Sequence, residues 1–287
     1  SAASDVYKRQ LHGLPLIITS HRGSSAFNLS PHQGELKESV VNYSYDQEII
    51  KPYYYEVFLD EEQIEVKYAP SHQAALYQLR FTHKDRPAYL LLNSRNGNIQ
   101  VKDNHISGYQ HLDNQTRVFL YLETEQTPIQ SGLLKNGQLS SSTTTEGTNI
   151  CAVLKFAKGT EKVRVRYGIS FISEEQARKN MERELSDYDV MALANKGRSC
   201  WNNALSKINV QGDNYDDKQV FYTSLYRVFE RPVCISEDGK YFSAFDHQVH
   251  TDHGIPFYTD DWIWDTYRAA HPLRVPVSYT HLTLPTI

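Results

Sequence analysis

The chain holds 287 residues, 40% of them hydrophobic, with 34 acidic against 30 basic side chains and a net charge of −4. That length and apolar share support two domains or one large one, and the near balance of charge leaves no basic footprint for a nucleic-acid partner. No stretch reaches the roughly 20 apolar residues of a membrane span, and three widely spaced cysteines (Cys151, Cys200 and Cys234) form neither a disulfide framework nor a zinc-type pairing.

The two ends read as foreign to the rest. Residues 1–10 (SAASDVYKRQ) and 277–287 (VSYTHLTLPTI) continue neither neighbouring pattern. They resemble translated adapter sequence, so they are read as non-native or artefactual ends and set aside from fold reasoning. The apolar stretch Leu14–Ile18 is too short for a signal-peptide core.

From Tyr43 to Phe171 the chain reads as short strands broken by turn signals. Strands are predicted at Tyr53–Leu59, Gln63–Tyr68, Leu76–Thr82, Ala88–Asn93, Arg117–Thr124, Ile150–Phe156 and Lys162–Ile172. In the last of these Val163, Val165, Tyr167, Ile169 and Phe171 take one face and Arg164, Arg166 and Ser170 the other, the period of a half-buried strand. Val118–Leu122 is apolar throughout and fits a strand covered on both faces. Asn96-Gly97 and Asn136-Gly137 are turn dipeptides, and Ser140–Thr145 is a polar low-complexity loop. Many short strands with regular turns predict a β-sandwich. The 20 tyrosines suit such a sheet. Their rings are also the amphipathic surface that sugars use, although a Tyr-rich sheet surface accounts for most of them.

The period changes at Ser173. Ser173-Glu174-Glu175-Gln176 is a capping-box pattern, and a helix follows to about Glu184. A second helix is predicted from about Asp189 to Lys207, with Val190, Leu193, Ala194, Trp201, Ala204, Leu205 and Ile208 on one stripe. Asn214 caps a third through about Glu230, with Phe221, Leu225 and Val228 inward and Arg231-Pro232 as the stop. Two short strands, 233–236 and 241–244, flank the turn Asp238-Gly239. A last helix is predicted from near Asp260 to about His271, stopped by Pro272. Helix, excursion, helix is how a ring of paired helices begins, and here the ring is barely started.

The chemistry-bearing residues gather at 245–268. Asp261 and Asp265 are four apart and Arg268 is three further on, within one helical face. Carboxylate, guanidinium and indole suit a sugar site: Asp accepts from vicinal hydroxyls, Arg donates, and Trp264 stacks on the C–H face. A capped, salt-bridged helix start with a buried Trp uses the same residues. His247, His250 and His253 are spaced three apart with Asp246 and Asp252 between; that spacing matches no standard ligand pattern, and a polar loop lining a cleft is the better reading.

Gly168-Ile169-Ser170-Phe171-Ile172-Ser173 with Glu175, Ala177, Asn180 and Glu184 is similar to the GISF-S-EQA--NLE-E stretch of glycoside hydrolase family 92, the calcium-dependent α-mannosidases. Trp201-Asn202-Asn203-Ala204-Leu205, Phe221–Arg227 and Trp264–Leu273 resemble further family stretches, and Pro52–Asp60 resembles its PGYYSVYLDD strand. The likeness covers most of residues 40–275.

The resemblance implies a β-sandwich followed by an (α/α)6 helical toroid, here incomplete. It divides the chain into a partial sandwich at 11–172, connecting helices at 173–208 and the start of the catalytic domain at 209–276. It implies exo-acting removal of terminal α-linked mannose from glycans with inversion, using a general acid and a general base, and a calcium ion on the sugar hydroxyls. Asp265, Trp264 and Arg268 match the motif that holds the terminal mannose, as hydroxyl acceptor, wall and support. No catalytic residue and no metal ligand is assigned within this chain, because the resemblance places the acid, the base and most of the calcium site further along. Asp261-Trp262 stands where many relatives carry a small or hydroxyl residue, which leaves linkage preference open. The resemblance also implies an exported bacterial protein, and this chain is expected to be inactive alone. A non-catalytic carbohydrate-binding protein and a piece of another (α/α)6 hydrolase are the competing readings.

Overall fold

The computed structural model describes residues 10–18, 25–36, 39–230, 232–259 and 266–277. The described residues form two compact units, one running to Gly197 with Ala244–Gln248 added, the other built from Arg198–Ser243 and the residues from Val249 on.

The first unit is one large antiparallel sheet. Its strands are β1 (Gln10–His12), β2 (Leu14–Ile18), β3 (Ser25–Gln33), β4 (Asn42–Lys51), β5 (Tyr54–Leu59), β6 (Ile64–Pro70) and β7 (Ala74–Phe81). They continue with β8 (Ala88–Lys102), β9 (His105–His111), β10 (Arg117–Thr124), β11 (Gln130–Lys135), β12 (Gln138–Ser140), β13 (Thr144–Lys155) and β14 (Lys162–Ser170). The strand order is β1-β4-β5-β6-β7-β14-β10-β9-β8-β13-β11-β12, with β3 on β8 and β2 on β3. Core residues from both ends of this order, among them Val57, Ile64 and Leu79 with Leu29, Leu92 and Leu120, share one hydrophobic cluster. The sheet therefore folds over itself as the predicted sandwich.

Sequence periodicity located β10 to the residue and β14 to within its last two. In β14 Val163, Val165 and Tyr167 are buried, as the alternation predicted. Asn136-Gly137 is the two-residue turn between β11 and β12, with both residues at positive φ (51° and 73°) and Lys135 facing Gln138. Asn96-Gly97 is not a turn. It lies inside β8, where Gly97 at φ 109° lets the β9 backbone close in, and a Cβ there would fall 2.1 Å from the Tyr109 carbonyl oxygen. The chain turns instead between Lys102 and His105. The Ser140–Thr145 stretch is not wholly loop, since β12 and β13 take its ends.

Some of the tyrosines are core residues rather than sheet surface. Tyr43, Tyr77 and Tyr167 are buried, and each hydroxyl donates to a backbone carbonyl: Pro31 at 2.6 Å, Pro15 at 3.1 Å and Leu16 at 2.7 Å. The polar tip satisfies a carbonyl while the ring fills the core.

Two helices cover the outer face of the sheet. Helix α1 (Glu174–Glu184) is capped by Ser173, whose Oγ accepts from the Gln176 amide at 3.1 Å. Helix α2 (Val190–Leu205) is capped by Asp189, which accepts from the amides of Met191 and Ala192, each at 3.0 Å. Met181, Leu185, Val190, Leu193 and Ala194 pack on Tyr54, Ala69, Ala74 and Leu76.

The residues that carry the resemblance make this joint. Asn180, fully buried, donates to the Ile169 carbonyl at 2.9 Å and accepts from Gln176 at 3.0 Å. Glu184 accepts from the Gln73 amide at 2.9 Å. Arg166 donates to Glu123 at 2.6 Å and to the Leu185 carbonyl at 2.9 Å, and Tyr188 donates to the same carboxylate at 3.0 Å.

In the second unit α2 ends and α3 (Tyr215–Val228) begins under an Asn214 cap, as predicted. Leu225 is buried, and Trp201 meets Tyr226 edge to face at 4.8 Å. The Tyr222 hydroxyl donates to the Ile208 carbonyl at 3.1 Å, tying the loop between the helices to α3.

Candidate substrate-binding segment

The segment leading to the Trp264-Asp265-Thr266 motif is built on a hairpin. Asp238-Gly239, at φ 50° and 83°, turns the chain between Glu237 and Lys240, whose backbones exchange two hydrogen bonds. Strand β15 (Lys240–Ser243) then pairs with β16 (Gln248–Thr251). The two segments predicted to flank the turn therefore find their partners elsewhere. Residues 233–235 pair instead with 257–259: the Ile235 amide donates to the Phe257 carbonyl at 2.9 Å and the Thr259 amide to the Val233 carbonyl at 2.8 Å. The Val233 amide also donates to Thr259 Oγ1 at 3.0 Å.

This ladder stacks aromatic rings. Tyr241 lies parallel to Phe257 at 3.9 Å between centroids, and His250 stacks on Tyr241 at 5.5 Å. Periodicity could not reveal a contact between residues 16 apart on separate strands. Part of the His-rich stretch is thus strand rather than cleft-lining loop: Asp246 accepts from the Gln248 amide at 3.2 Å and starts β16. Among the described residues no group of three or more His, Cys, Asp or Glu side chains is placed to hold a metal ion.

Asp261, Trp264 and Asp265 lie outside the described residues. Beyond them Arg268 is exposed, and its Nε donates to the Tyr267 hydroxyl at 2.7 Å. Thr266 Oγ1 and His271 Nε2 are 2.8 Å apart, a pairing the sequence reading missed. The final helix, α4 (Ala270–Val277), does not stop at Pro272. Proline sits in its first turn, where the absent N–H would have had no intrahelical partner. Arg274 reaches the Val228 carbonyl at 3.5 Å, which links α4 to the end of α3.

Comparison with known proteins decides the family. The sequence model of the glycosyl hydrolase family 92 N-terminal domain matches residues 5–170, and that of the family's catalytic domain matches residues 176–280. The chain belongs to glycosyl hydrolase family 92. Among solved structures of the family, the inverting mannosidase of Bacteroides thetaiotaomicron is 29% identical with a TM-score of 0.77, over 87% of this chain and 36% of its own. A second family 92 α-mannosidase of that organism is 24% identical with a TM-score of 0.83, over 93% of this chain and 40% of its own, and shares the fold. It has also been solved with mannoimidazole. A protein of Arthroderma benhamiae named as an uncharacterized secreted glycosidase is 30% identical over 101 residues, 31% of this chain and 13% of that protein. The family 92 chain thus spans well under half the length of these relatives.

Proposed function

We propose that this chain is the sandwich and first helices of an inverting, calcium-dependent exo-α-mannosidase that removes terminal α-linked mannose from glycans. The observation that carries the reading is the 29% identity to an inverting family 92 mannosidase sustained over 87% of this chain. The mannoimidazole complex of a fold relative supports a mannose-shaped subsite in the family. In this reading Asp265 accepts hydrogen bonds from mannose hydroxyls, Trp264 walls the sugar and Arg268 supports the motif.

An inverting hydrolase protonates the leaving oxygen with one carboxylic acid while a second carboxylate activates water on the opposite face. We assign neither role, nor any calcium ligand, to a residue of this chain, and the chain alone is expected to be inactive. Export fits the relative named as secreted, and a bacterial source fits the Bacteroides relatives. No described helix is long and apolar enough to cross a membrane.

The test takes the whole protein that carries this sequence in its genomic source and follows hydrolysis of an α-mannoside by proton NMR. β-Mannose appearing first, in a calcium-dependent reaction lost in Asp265→Asn, is the expected result. α-Mannose first, or hydrolysis of an α-glucoside with the α-mannoside left intact, overturns the proposal.

A further inference from the structure

His32 occupies an unusual position for a histidine. It lies on β3, with its side chain only 18% exposed. Its Nδ1 is 2.9 Å from Glu62 Oε1, and its Nε2 is 2.9 Å from the Glu35 carbonyl oxygen. Both partners are acceptors. A neutral imidazole carries one N–H and one lone pair, so either tautomer would point a lone pair at an oxygen. With Glu62 a carboxylate, only the doubly protonated ring satisfies both contacts.

The contact joins parts of the sandwich that no strand pairing connects. β3 pairs with β2 and β8, whereas Glu62 lies in the turn between β5 and β6, towards the other end of the strand order. The Glu62 carboxylate also accepts from the Gln33 amide at 2.9 Å. The Gln33 side chain donates to the His83 carbonyl at 3.0 Å and accepts from the His83 amide at 3.3 Å. Residues 32 and 33 therefore clasp β3 to the turn between β5 and β6 and to the turn between β7 and β8.

We propose that His32 is held as an imidazolium in the folded protein and is a pH-sensitive clasp between the two layers of the sandwich. Several charged and titratable groups among the described residues lie around it. Glu62 faces it directly and favours the cation. Tyr43, buried behind Glu62, has its hydroxyl committed to the Pro31 carbonyl and remains neutral. Tyr89 on β8 offers a tilted ring at 6.3 Å, with the Lys155 ammonium 5.9 Å from that ring. Glu35 contributes its backbone carbonyl. A group that binds its proton more tightly folded than unfolded stabilises the fold fully below its unfolded midpoint, about 6.5 for histidine, and loses that contribution as pH rises through the folded midpoint.

The test is a proton–carbon NMR titration of the histidine Cε1–H resonances of the whole chain, with His32→Gln used to identify the His32 signal. A midpoint at least one pH unit above about 6.5 is expected, together with a Tm that falls more steeply between pH 6.5 and 8.5 in the wild type than in His32→Gln. A His32 midpoint at or below about 6.5 overturns the proposal, as does an equal Tm slope in both proteins. If His32→Gln does not fold, Glu62→Gln decides. One histidine midpoint should then fall markedly, and its staying in place counts against the clasp.

Discussion

Gly168 lies directly beneath Met181. A Cβ added at Gly168 would fall 2.8 Å from Met181 Cβ and 2.2 Å from the Ala177 carbonyl oxygen. Helix α1 thus rests on the backbone of β14 with no room for a side chain between them. Gly168→Ala must push the helix off the sheet, because the nearest atom is backbone and cannot rotate away. Overpacking of this kind costs about 3 kcal/mol, and a denaturant melt of the variant should show a loss of that order. A loss below about 0.5 kcal/mol would mean that the helix sits less tightly than described.

Arg166 supports the same joint from the other side, and removing it should cost less than a fully buried pair. Its guanidinium and Glu123 are each about one-fifth exposed, at 20% and 19%. Burial works against the Arg166 charge, while Glu123 and Tyr188 hold its proton more firmly than usual. Arg166→Met leaves Glu123 with Tyr188 as a remaining donor, so a loss of about 2 kcal/mol is expected after discounting for solvent screening. A double-mutant cycle with Glu123→Gln should return most of that as coupling energy.

The buried tyrosines predict an alkaline limit. Burial pushes the hydroxyls of Tyr43, Tyr77 and Tyr167 well above their ordinary value near 10, with the Glu62 charge adding to the effect at Tyr43. The unfolded chain loses these protons first, so their contribution is intact below about pH 10 and falls above it, by about 1.4 kcal/mol per pH unit for each tyrosine. Absorbance at 295 nm should rise in two phases, the second coinciding with loss of circular dichroism. A single reversible phase covering all the tyrosines would show that these rings are accessible.

Cys151 should report unfolding. Burial pushes its thiol up to about 12, and its Sγ lies 3.8 Å from the Ser39 carbonyl oxygen, whereas Cys200 is exposed. With iodoacetamide at pH 8, Cys200 should be modified quickly and Cys151 only as the sandwich opens. Peptide mass mapping against time separates the two. Equal rates at both positions would contradict the burial of Cys151.

Helix ends and central strands were legible in the sequence because their signals are local. Ser173, Asp189 and Asn214 each cap the helix that follows them, and β14 alternates as a half-buried strand does, whereas Val118–Leu122, read as covered on both faces, leaves Phe119 and Tyr121 half-buried. The strands before Tyr43 were missed because their buried positions include Ser30 and Gln33, and because Pro31 stands within β3. Such a pattern lacks the apolar alternation that marks a strand, and its polar groups are satisfied by distant partners such as His83. In the candidate site the turn at Asp238-Gly239 was readable, but the pairing of Val233 with Thr259 was not, since strand partners are chosen by long-range packing. Trp264 and Asp265 were singled out by type and spacing alone. Of the three residues proposed to hold the sugar, only Arg268 lies among the described residues.

The joint between α1 and the sheet bears on how relatives of this protein are found. Gly168, Asn180 and Glu184 are among the residues by which the chain resembles its family, and each is committed to fixing a helix on a sheet. Selection for that assembly would preserve them in a descendant that had stopped cleaving sugars and kept only its shape. A signature built on these residues therefore reports that a helix is fixed on a sheet, and is silent on whether the protein still cleaves a sugar.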